Sequence, residues 1–210
     1  MPEITTDPML LAVTAVLAYL LGSIPFGIDI TRALGLGDLR QIGSGNIGAT
    51  NVLRTGNKGA ALATLVLDAA KGGIAVLIAR WLLAEDAAQL AGLSAFLGHL
   101  FPVWLGFRGG KGVATFLGTL IALSWPVGLA ACGTWLVTAL VTRISSVAAL
   151  TAAATSSLWL IWFSEGRMLL LVMLLTILVY IRHSENLKRI KAGTEPKIGQ
   201  KKPSNTGAMT

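Results

Sequence analysis

The stretch AALATLVLDAAKGGIAVLIARWLL, residues 60–83, decides the fold class of this chain. It is 24 residues long, and a helix that crosses a bilayer needs about 20 mainly apolar residues. Only Asp68, Lys71 and Arg80 carry charge within it. The stretch therefore predicts a transmembrane helix with two ionisable side chains, Asp68 and Lys71, well inside its apolar run.

The composition of the whole chain extends this prediction to several spans. Of the 210 residues, 54% are hydrophobic and 13% are charged, whereas soluble domains carry roughly 25% charged residues. So few charged side chains cannot cover the surface of a soluble protein of this size. The mean hydropathy of +0.71 also excludes a disordered chain, because the apolar content would make it collapse.

Apolar runs recur along the sequence and are separated by polar segments. Their approximate limits are 9–28, 60–83, 87–107, two runs within 113–142, 147–163 and 168–181. The stretch 113–142 holds 30 largely apolar residues, too many for one untilted span, and we expect Trp125-Pro126 to divide it. We therefore predict an all-α polytopic membrane protein with about seven transmembrane helices.

The two ends of the chain differ in character. The first run is preceded by Glu3 and Asp7 and lacks a basic start, which favours a spanning helix over the alternative of a secretory signal peptide. We predict a single membrane domain over residues 1–199. Residues 200–210 are polar and are expected to form a disordered tail.

The net charge of +7 is unevenly distributed between the connecting segments. Fourteen of the 17 Lys and Arg residues lie in segments 29–59, 108–112, 142–146 and 182–210. The remaining connecting segments contain only Arg80 and Arg167 as basic residues. Since basic segments stay in the cytoplasm, we predict that the N-terminus is outside and the C-terminus inside. The positive charge then faces lipid head groups, and no nucleic acid partner is expected.

Residues 43–54, GSGNIGATNVLR, form the most informative polar segment. Its glycines allow positive φ and close backbone approach, so that several N–H groups can converge on an anion. Arg54 adds a planar guanidinium that suits a phosphate. The candidate phosphate-binding residues are Ser44, Gly45, Asn46, Thr50, Asn51 and Arg54. The alternative is a flexible loop whose glycines only make turns.

Residues 107–115, FRGGKGVAT, lead directly into an apolar run. Glycine-rich backbone at a helix N-terminus can bind phosphate through its free N–H groups, with Lys111 as a point charge. The candidate residues are Gly109, Gly110, Lys111 and Gly112. The segment is not a Walker A loop, since the GxxxxGK[ST] spacing is absent. The alternative is a tight basic turn that only sets the topology.

Residues 182–195, RHSENLKRIKAGTE, follow the last apolar run. If the helix continues past the membrane, His183 and Asn186 share a face at i, i+3, and a histidine can accept a proton near neutral pH. We expect Gly193 to end the helix and Glu195 to form a structural ion pair. The alternative is that these residues are interfacial anchors.

Three ionisable residues, Asp68, Lys71 and His99, lie inside apolar runs. Unpaired charge is costly in a membrane, so such residues are functional candidates, although Asp68 and Lys71 at i, i+3 can also neutralise each other. We expect His99 to face the bundle interior and to serve in packing. With two histidines far apart and one cysteine, Cys132, neither a metal site nor an internal disulfide is predicted.

The three polar segments together resemble the bacterial acyl-phosphate:glycerol-3-phosphate acyltransferase family, PlsY. The similarity covers about residues 21–195, with the motifs in the order and spacing of the family. Shorter elements agree as well, namely GSIP at 22–25, Leu67-Asp68 with Lys71-Gly72, and Gly98-His99 with Phe101-Pro102.

The resemblance implies a cofactor-independent enzyme of the bacterial inner membrane, with its active site on the cytoplasmic face. It would acylate the sn-1 hydroxyl of glycerol 3-phosphate with a fatty acyl phosphate, releasing lysophosphatidic acid and phosphate. It implies catalytic roles for Ser44, Arg54, Lys111, His183 and Asn186, and supporting roles for Asp68, Lys71, His99 and Glu195. A serine after the fifth span corresponds to Ser145 or Ser146, and the Arg-x-x-Ser pattern favours Ser146 as a phosphate ligand. No obligate protein partner is indicated.

The chemistry of an acyl phosphate fits these residues, because its leaving group needs charge stabilisation more than protonation. Either His183 or a phosphate oxygen of the substrate could accept the hydroxyl proton. Covalent catalysis by Ser44 is an alternative that lacks a GxSxG-type motif. An anion transporter is the alternative from another class, although alternating access expects a midplane site between related halves.

Overall fold

The computed structural model describes residues 2–199, and in this range every regular element is helical. The α-helices are α1 Pro8–Gly22, α2 Phe26–Ala33, α3 Ala49–Val52, α4 Lys58–Leu82, α5 Glu85–Leu100, α6 Val113–Leu123, α7 Trp125–Thr142, α8 Ser145–Trp162, α9 Leu169–Arg182 and α10 Ser184–Lys191. Short 3-10 helices span Leu39–Gln41, Leu53–Thr55, Val103–Leu105 and Gly166–Met168. The all-α prediction is confirmed for these residues, while the tail predicted at 200–210 lies outside them.

Within residues 2–199, five segments are long and apolar enough to cross a membrane. They are Pro8–Ala33, Lys58–Leu82, Glu85–Leu105, Trp125–Thr142 and Ser145–Trp162. A sixth arises if Gly166–Arg182 and Ser184–Lys191, which meet at a bend of 61°, form one broken span. Helix α6 is apolar but has only 11 residues, about 17 Å at 1.5 Å per residue. The number seven therefore stays a prediction.

Large apolar side chains cover the outside of the helix bundle. Trp81 is 83% exposed, and Val141 and Trp162 are each 78% exposed. A water-soluble protein rarely leaves contiguous apolar surface of this kind uncovered. A bilayer provides the apolar environment that these side chains need.

The first apolar run is divided by a break in the helix. Asp7 accepts hydrogen bonds from the amides of Met9 and Leu10 at the start of α1, as an N-cap residue should. The chain turns at Ser23–Pro25, and Pro25 precedes the first residue of α2. The single helix predicted to reach residue 28 is thus two helices, because proline offers no amide to continue the ladder.

The third apolar run also differs from the predicted limits. Helix α5 begins at Glu85, two residues before the predicted limit of 87, and ends at Leu100 rather than near residue 107. Phe101 has an extended φ of −132°, because the residue before a proline avoids the helical region. Residues 101–112 consequently form a loop that returns the chain to α6.

The predicted division of residues 113–142 is confirmed, but the break lies at Ser124, and Trp125-Pro126 form the first turn of α7. The guanidinium of Arg80 donates to the carbonyl oxygens of Ala122 and Leu123 and also pairs with Glu85. These bonds satisfy carbonyl groups that the end of α6 leaves without helical partners. Arg80 therefore joins the ends of α4 and α6 to the start of α5.

The last helix is interrupted at His183, so the condition under which His183 and Asn186 would share a face of one continuous helix is not met. Helix α9 ends at Arg182, and α10 begins at Ser184 in a new direction, so His183 lies at the bend rather than within one helix. Gly193 has a φ of 69° just after α10. Its predicted helix-ending role is confirmed, because this left-handed conformation suits glycine.

Small residues let the helices approach closely in the interior. A Cβ atom at Gly22 would overlap the backbone of Ala95, and one at Gly118 would overlap the backbone of Ala69. These contacts join α1 to α5 and α6 to α4, a mode of packing typical of membrane helices. Larger apolar side chains, among them Phe96, Phe116 and Leu120, fill a core between α5, α6, α8 and α9.

Candidate active site

The three polar segments singled out in the sequence meet on one face of the bundle. The hydroxyl groups of Thr50 and Ser145 are 3.2 Å apart, which joins the first segment to the start of α8. The ammonium group of Lys111 donates to the side-chain oxygen of Asn186, which joins the second segment to the third. Ser146, next to Ser145, donates to Glu195 of the third segment, so residues that are far apart in sequence lie around one site.

The first loop, residues 43–54, is organised by the amide of Asn51. Its nitrogen donates to the carbonyl oxygens of Leu39, Ile42 and Asn46 at 3.0, 2.9 and 2.8 Å. Its oxygen accepts from the backbone amide of Ser44 at 3.2 Å. The side chain is 2% exposed, so it is not free to bind a phosphate as the sequence analysis expects.

Other side chains of the first loop remain accessible. Ser44, Thr50 and Arg54 are exposed. Gly43 has a φ of 55°, and a Cβ there would come within 2.6 Å of the Arg54 side chain. Arg54 therefore packs against the backbone of Gly43.

The second loop, residues 109–112, is held by its neighbours. The amides of Gly109 and Gly110 donate to the carbonyl oxygens of Leu100 and His99, both at 3.1 Å. These two N–H groups are therefore not free for a phosphate, which corrects the expectation from the glycine-rich sequence. The amides that begin α6 have no intrahelical acceptor.

Arg182 holds the second loop through its carbonyl groups. Its guanidinium donates to Gly109 O at 2.8 Å and to Gly110 O at 3.1 Å, and it lies over the ring of Phe101 at 5.6 Å. Arg182 is a site residue that could not be recognised as such from the sequence. Its position next to the candidate residue His183 was the signal that could have drawn attention to Arg182. Its acceptors, two carbonyl oxygens more than 70 residues away in sequence, could not be predicted.

Lys111 lies in an unusual electrostatic environment. Burial lowers its pKa to about 8, and although Glu195 opposes this shift, the nearby cations Arg189, Arg182 and Arg54 strengthen it. So many cations around one lysine favour the binding of an anion. The pKa also means that a modest rise in pH above neutrality removes part of the positive charge.

Glu195 connects the third segment to α8. Its carboxylate accepts from Ser146 Oγ at 2.7 Å, from Asn186 Nδ2, and from Arg189 Nε at 2.6 Å. Burial raises its pKa, but these hydrogen bonds and the charge of Arg189 outweigh burial and lower the pKa overall. The predicted ion pair is confirmed, with Arg189 as the partner that sequence analysis did not name.

His183 lies beyond the end of α9 and is 2% exposed. Its Nδ1 is 2.8 Å from the carbonyl oxygen of Val179, which can only accept, so Nδ1 carries the proton in the neutral ring. Burial lowers the pKa of His183 to about 4, against the hydrogen bond to Val179, which raises it. The ring is therefore neutral near pH 7, and its Nε2 carries a lone pair.

The three ionisable residues of the apolar runs come together inside the bundle. Lys71 Nζ lies 2.8 Å from Asp68 Oδ1, which confirms their mutual pairing, and His99 Nδ1 lies 3.5 Å from the same oxygen. Lys71 also donates to the carbonyl oxygen of Ile24 at 2.9 Å. Within residues 2–199 no group of three or more His, Cys, Asp or Glu side chains could hold a metal ion.

Comparisons with known families and curated proteins agree with this arrangement. The family model described as glycerol-3-phosphate acyltransferase matches residues 12–193. A glycerol-3-phosphate acyltransferase of Cereibacter sphaeroides is 66% identical over 208 residues, which are 99% of each chain. One from Ruegeria pomeroyi is 62% identical over 201 residues, 96% of this chain and 99% of the relative.

Two solved structures share the fold. The crystal structure of PlsY (YgiH), an integral membrane glycerol 3-phosphate acyltransferase, in its glycerol 3-phosphate form matches with a TM-score of 0.85 at 40% identity. It covers 90% of this chain and 96% of its own. The lysophosphatidic acid form matches over the same shares with a TM-score of 0.83 at 39% identity.

Proposed function

The chain belongs to the glycerol-3-phosphate acyltransferase family, PlsY, and we propose that its acyl donor is a fatty acyl phosphate and its acceptor the sn-1 hydroxyl of glycerol 3-phosphate. The products are lysophosphatidic acid, or 1-acyl-sn-glycerol 3-phosphate, and inorganic phosphate. This is the first acylation step of phospholipid biosynthesis. The reaction uses neither a cofactor nor a metal and needs no protein partner.

The observation that carries the proposal is the cluster of cations around Lys111. Arg54, Arg182 and Arg189 all lie close enough to lower its pKa, and only Glu195 opposes them among the causes named above. Both proposed substrates carry phosphate, so both gain from this positive potential. The solved relatives with glycerol 3-phosphate and with lysophosphatidic acid support the same chemical class of ligand.

The residues of the site take different roles in this proposal. Ser44, Arg54, Lys111 and His183 are the catalytic groups, and Asn186 acts with them by positioning Lys111, from which its side-chain oxygen accepts. The phosphate groups are bound by Ser44, Gly45, Asn46, Thr50, Arg54, Lys111 and Gly112. Asn51, Gly109, Gly110, Ser146 and Glu195 act by shaping the loops, because their polar groups are engaged within the protein.

Charge stabilisation is the main catalytic contribution that we propose. An acyl phosphate is a mixed anhydride, so attack by a hydroxyl oxygen forms an ester bond and releases phosphate. Lys111 and Arg54 stabilise the negative charge that develops on the acyl oxygen and the leaving phosphate. The neutral ring of His183, with Nδ1 donating to Val179, offers Nε2 as the acceptor for the hydroxyl proton.

Acyl transfer is direct in this proposal, without an acyl-enzyme. The hydroxyl group of Ser44 lies 3.5 Å from the side-chain oxygen of Asn51, and within residues 2–199 no hydrogen bond joins Ser44 to a histidine. A serine nucleophile needs such an adjacent base. An already activated donor makes the covalent step unnecessary.

The proposed topology places residues 1–199 in the bacterial inner membrane as one domain of seven spans, with α6 as the short fourth span. The N-terminus is outside, and the active site faces the cytoplasm. The basic segments support this orientation because they share one face: Thr50 contacts Ser145, and the amide of Ile198 donates to the carbonyl oxygen of Arg143. Membrane lipids surround the apolar sides of the helices.

The test of the activity is phosphate release by purified protein in detergent. We expect release from palmitoyl phosphate only when glycerol 3-phosphate is present, with formation of 1-acyl-glycerol 3-phosphate. Replacing glycerol 3-phosphate by glycerol tests the need for the second phosphate and should abolish turnover. Use of acyl thioesters instead of acyl phosphate would contradict the proposed donor.

Two further measurements test the direct mechanism. Protein mixed with radiolabelled acyl phosphate alone should release no burst of phosphate and retain no label after denaturation. The substitution His183→Ala should slow turnover by roughly 10²–10⁴-fold if His183 is the base, and much less if a substrate phosphate accepts the proton. Label on Ser44 that glycerol 3-phosphate removes at the rate of turnover would replace direct transfer with two steps.

Cysteine labelling tests the orientation. In a Cys132→Ala background, cysteines at the exposed positions Lys58 and Lys188 should be shielded from an impermeant thiol reagent in intact cells. Cysteines at Glu3 and Arg167, which are also exposed, should react. The reverse pattern would place the active site outside.

A further inference from the structure

The buried ion pair of Lys71 and Asp68 is unexplained by the reaction alone. Lys71 is 2% exposed and Asp68 is 3% exposed. Taking a charge pair out of water is rarely a gain in stability compared with apolar side chains of similar size. The mutual ion pair of Asp68 and Lys71 also does not account for a histidine at position 99.

The ring of His99 lies directly beneath Gly110 of the second loop. A Cβ atom added to Gly110 would overlap the Nε2, Cε1 and Cδ2 atoms of this ring, so the α-carbon of Gly110 is in close contact with it. The amide of Gly110 donates to the carbonyl oxygen of His99 at 3.1 Å. One residue of α5 thus supports the residue just before Lys111 through both its ring and its backbone.

Asp68 links the two ends of the segment that carries Lys111. Its carboxylate faces His99 Nδ1 at 3.5 Å, and its backbone oxygen accepts from Thr115 Oγ1 at 2.9 Å. His99 precedes the loop and Thr115 follows it, so α4 holds the chain on both sides of the glycines. Lys71 in turn holds the carboxylate of Asp68 at 2.8 Å.

The loop is also held by Arg182, whose guanidinium donates to the carbonyl oxygens of Gly109 and Gly110. Gly110 therefore contacts both the His99 ring and the Arg182 side chain. A loop of three glycines has many accessible conformations, and these contacts select one of them. Lys111 leaves the loop at this point and contacts Asn186.

We propose that His99 is a positioning residue, packed beside the Asp68–Lys71 ion pair, that sets where the ammonium group of Lys111 lies in the site. The inference rests on the proposed function, in which Lys111 binds a substrate phosphate. His99 touches no reacting atom in this role. A misplacement of about 1 Å at a charged group can lower catalysis by about 100-fold, so a support for the loop matters as much as the lysine.

The test is a double-mutant cycle between His99 and Lys111 that uses the full chain in detergent. His99→Phe keeps a flat ring but removes the contact with the carboxylate of Asp68. We expect it to lower kcat/KM for glycerol 3-phosphate by about 10–100-fold, mainly through kcat. In the Lys111→Ala background the same substitution should lower kcat/KM by less than about twofold, because the group that it positions is absent.

The matched control is Gln89→Met, on the same helix. Gln89 is 7% exposed and donates to the backbone oxygen of Arg167 at 3.4 Å, in the connection between α8 and α9 and outside the proposed site. This substitution also replaces a buried polar side chain by an apolar one of similar size. We expect a change below about twofold in kcat/KM in both backgrounds.

The outcomes separate this inference from the proposed function. If His99→Phe lowers kcat/KM by the same factor with and without Lys111, the effects multiply, and the positioning role is overturned. If Lys111→Ala has wild-type kinetics, the proposed phosphate-binding role of Lys111 is wrong, and the inference about His99 falls with it. His99→Gln, which keeps a donor towards Asp68, serves if His99→Phe does not fold. Failure of both variants to fold would assign His99 to stability and also overturn the inference.

Discussion

The two glycine-rich loops of this protein reach a defined conformation by opposite means. The first loop, residues 43–54, is organised by its own Asn51, which bonds to three backbone oxygens within 12 residues of it. The second loop, residues 109–112, is held by the backbone of α5 and by Arg182, 72 and 73 residues away. The two loops are therefore both rich in glycine, but one is stabilised by local hydrogen bonds and the other by distant residues.

This difference between local and distant contacts determines how each loop responds to a substitution. A loop that is organised by one internal amide can lose its conformation while the helices remain packed, because its bonds are local. A loop held between helices changes only when the helices or their facing side chains change, and the disturbance reaches Lys111 directly. The following predictions test this contrast in order of decreasing effect.

The largest effect is expected for Gly110→Ala. The new methyl group would overlap the His99 ring and displace the loop together with Lys111. We expect kcat/KM to fall by about 10²–10³-fold, the loss seen when one preorganised charge-stabilising group is removed. The control is Gly59→Ala, where a Cβ meets only Asn57 Oδ1 at 3.4 Å, and wild-type kinetics are expected. Equal kinetics for the two variants would contradict the claim that the contact of Gly110 with the His99 ring determines the conformation of the second loop.

Asn51→Asp should damage the first loop alone. It replaces the donating nitrogen by an oxygen that faces three carbonyl oxygens, and each unsatisfied buried group costs about 1–3 kcal/mol. We expect kcat/KM to fall about 100-fold, equivalent to about 2.7 kcal/mol, and trypsin to cleave faster at the exposed Arg40 and Arg54 without faster cleavage elsewhere.

A matched substitution separates the role of the Asn51 amide from a general effect of added charge. Asn57→Asp makes the same change at the N-cap of α4, where the side-chain oxygen accepts from the amide of Ala60 at 2.9 Å. Aspartate caps a helix as well as asparagine does. We expect wild-type kinetics and proteolysis, and a loss as large as that of Asn51→Asp would contradict the internal support of the first loop.

Arg54→Lys should have a smaller effect, because the first loop stays folded. The positive charge is kept but the planar fork is lost. A lost charge-assisted hydrogen bond costs about 1.5–3 kcal/mol, so kcat/KM should fall by roughly tenfold or more. Arg40→Lys provides the comparison, since Arg40 pairs with Asp38 outside the proposed site and should tolerate the change. Unchanged kinetics for Arg54→Lys would exclude a bidentate role.

The pH dependence of the second loop is the mildest test. Burial lowers the pKa of Lys111 to about 8, so its ammonium group is charged below that value and neutral above it. If the charged form is required, kcat/KM should fall about fourfold between pH 7.0 and 8.5. Lys111→Arg keeps its charge throughout this range and should remove the decline. A decline that persists in Lys111→Arg would assign it to another group.

Several features of the fold could be predicted from neighbouring residues. The apolar runs, the division of residues 113–142 just before Trp125-Pro126 and the helix end at Gly193 depend on hydropathy and on backbone preferences. The pairing of Asp68 with Lys71 also depends only on their spacing of three residues in a helix. Such features are local, so the order of the residues is sufficient to specify them.

Other features could not be predicted in this way. The free amides expected at Gly109 and Gly110 are occupied by the end of α5, although nothing in the glycines themselves shows this. The side-chain amide of Asn51 could donate to a phosphate, yet it donates to backbone oxygens of the loop around it. Polar side chains have alternative partners, and the choice between protein and ligand depends on where the backbone places those partners.

The sequence by itself determined that this chain is a bundle of apolar helices with three polar segments suited to phosphate. Only the tertiary structure decided which groups in those segments are free. Lys111 reaches Asn186 over a separation of 75 residues, and Ser146 reaches Glu195 over 49. Hydropathy acts along the chain and can be read from it, whereas a hydrogen bond requires two atoms within about 3 Å, a distance that only the packed helices set.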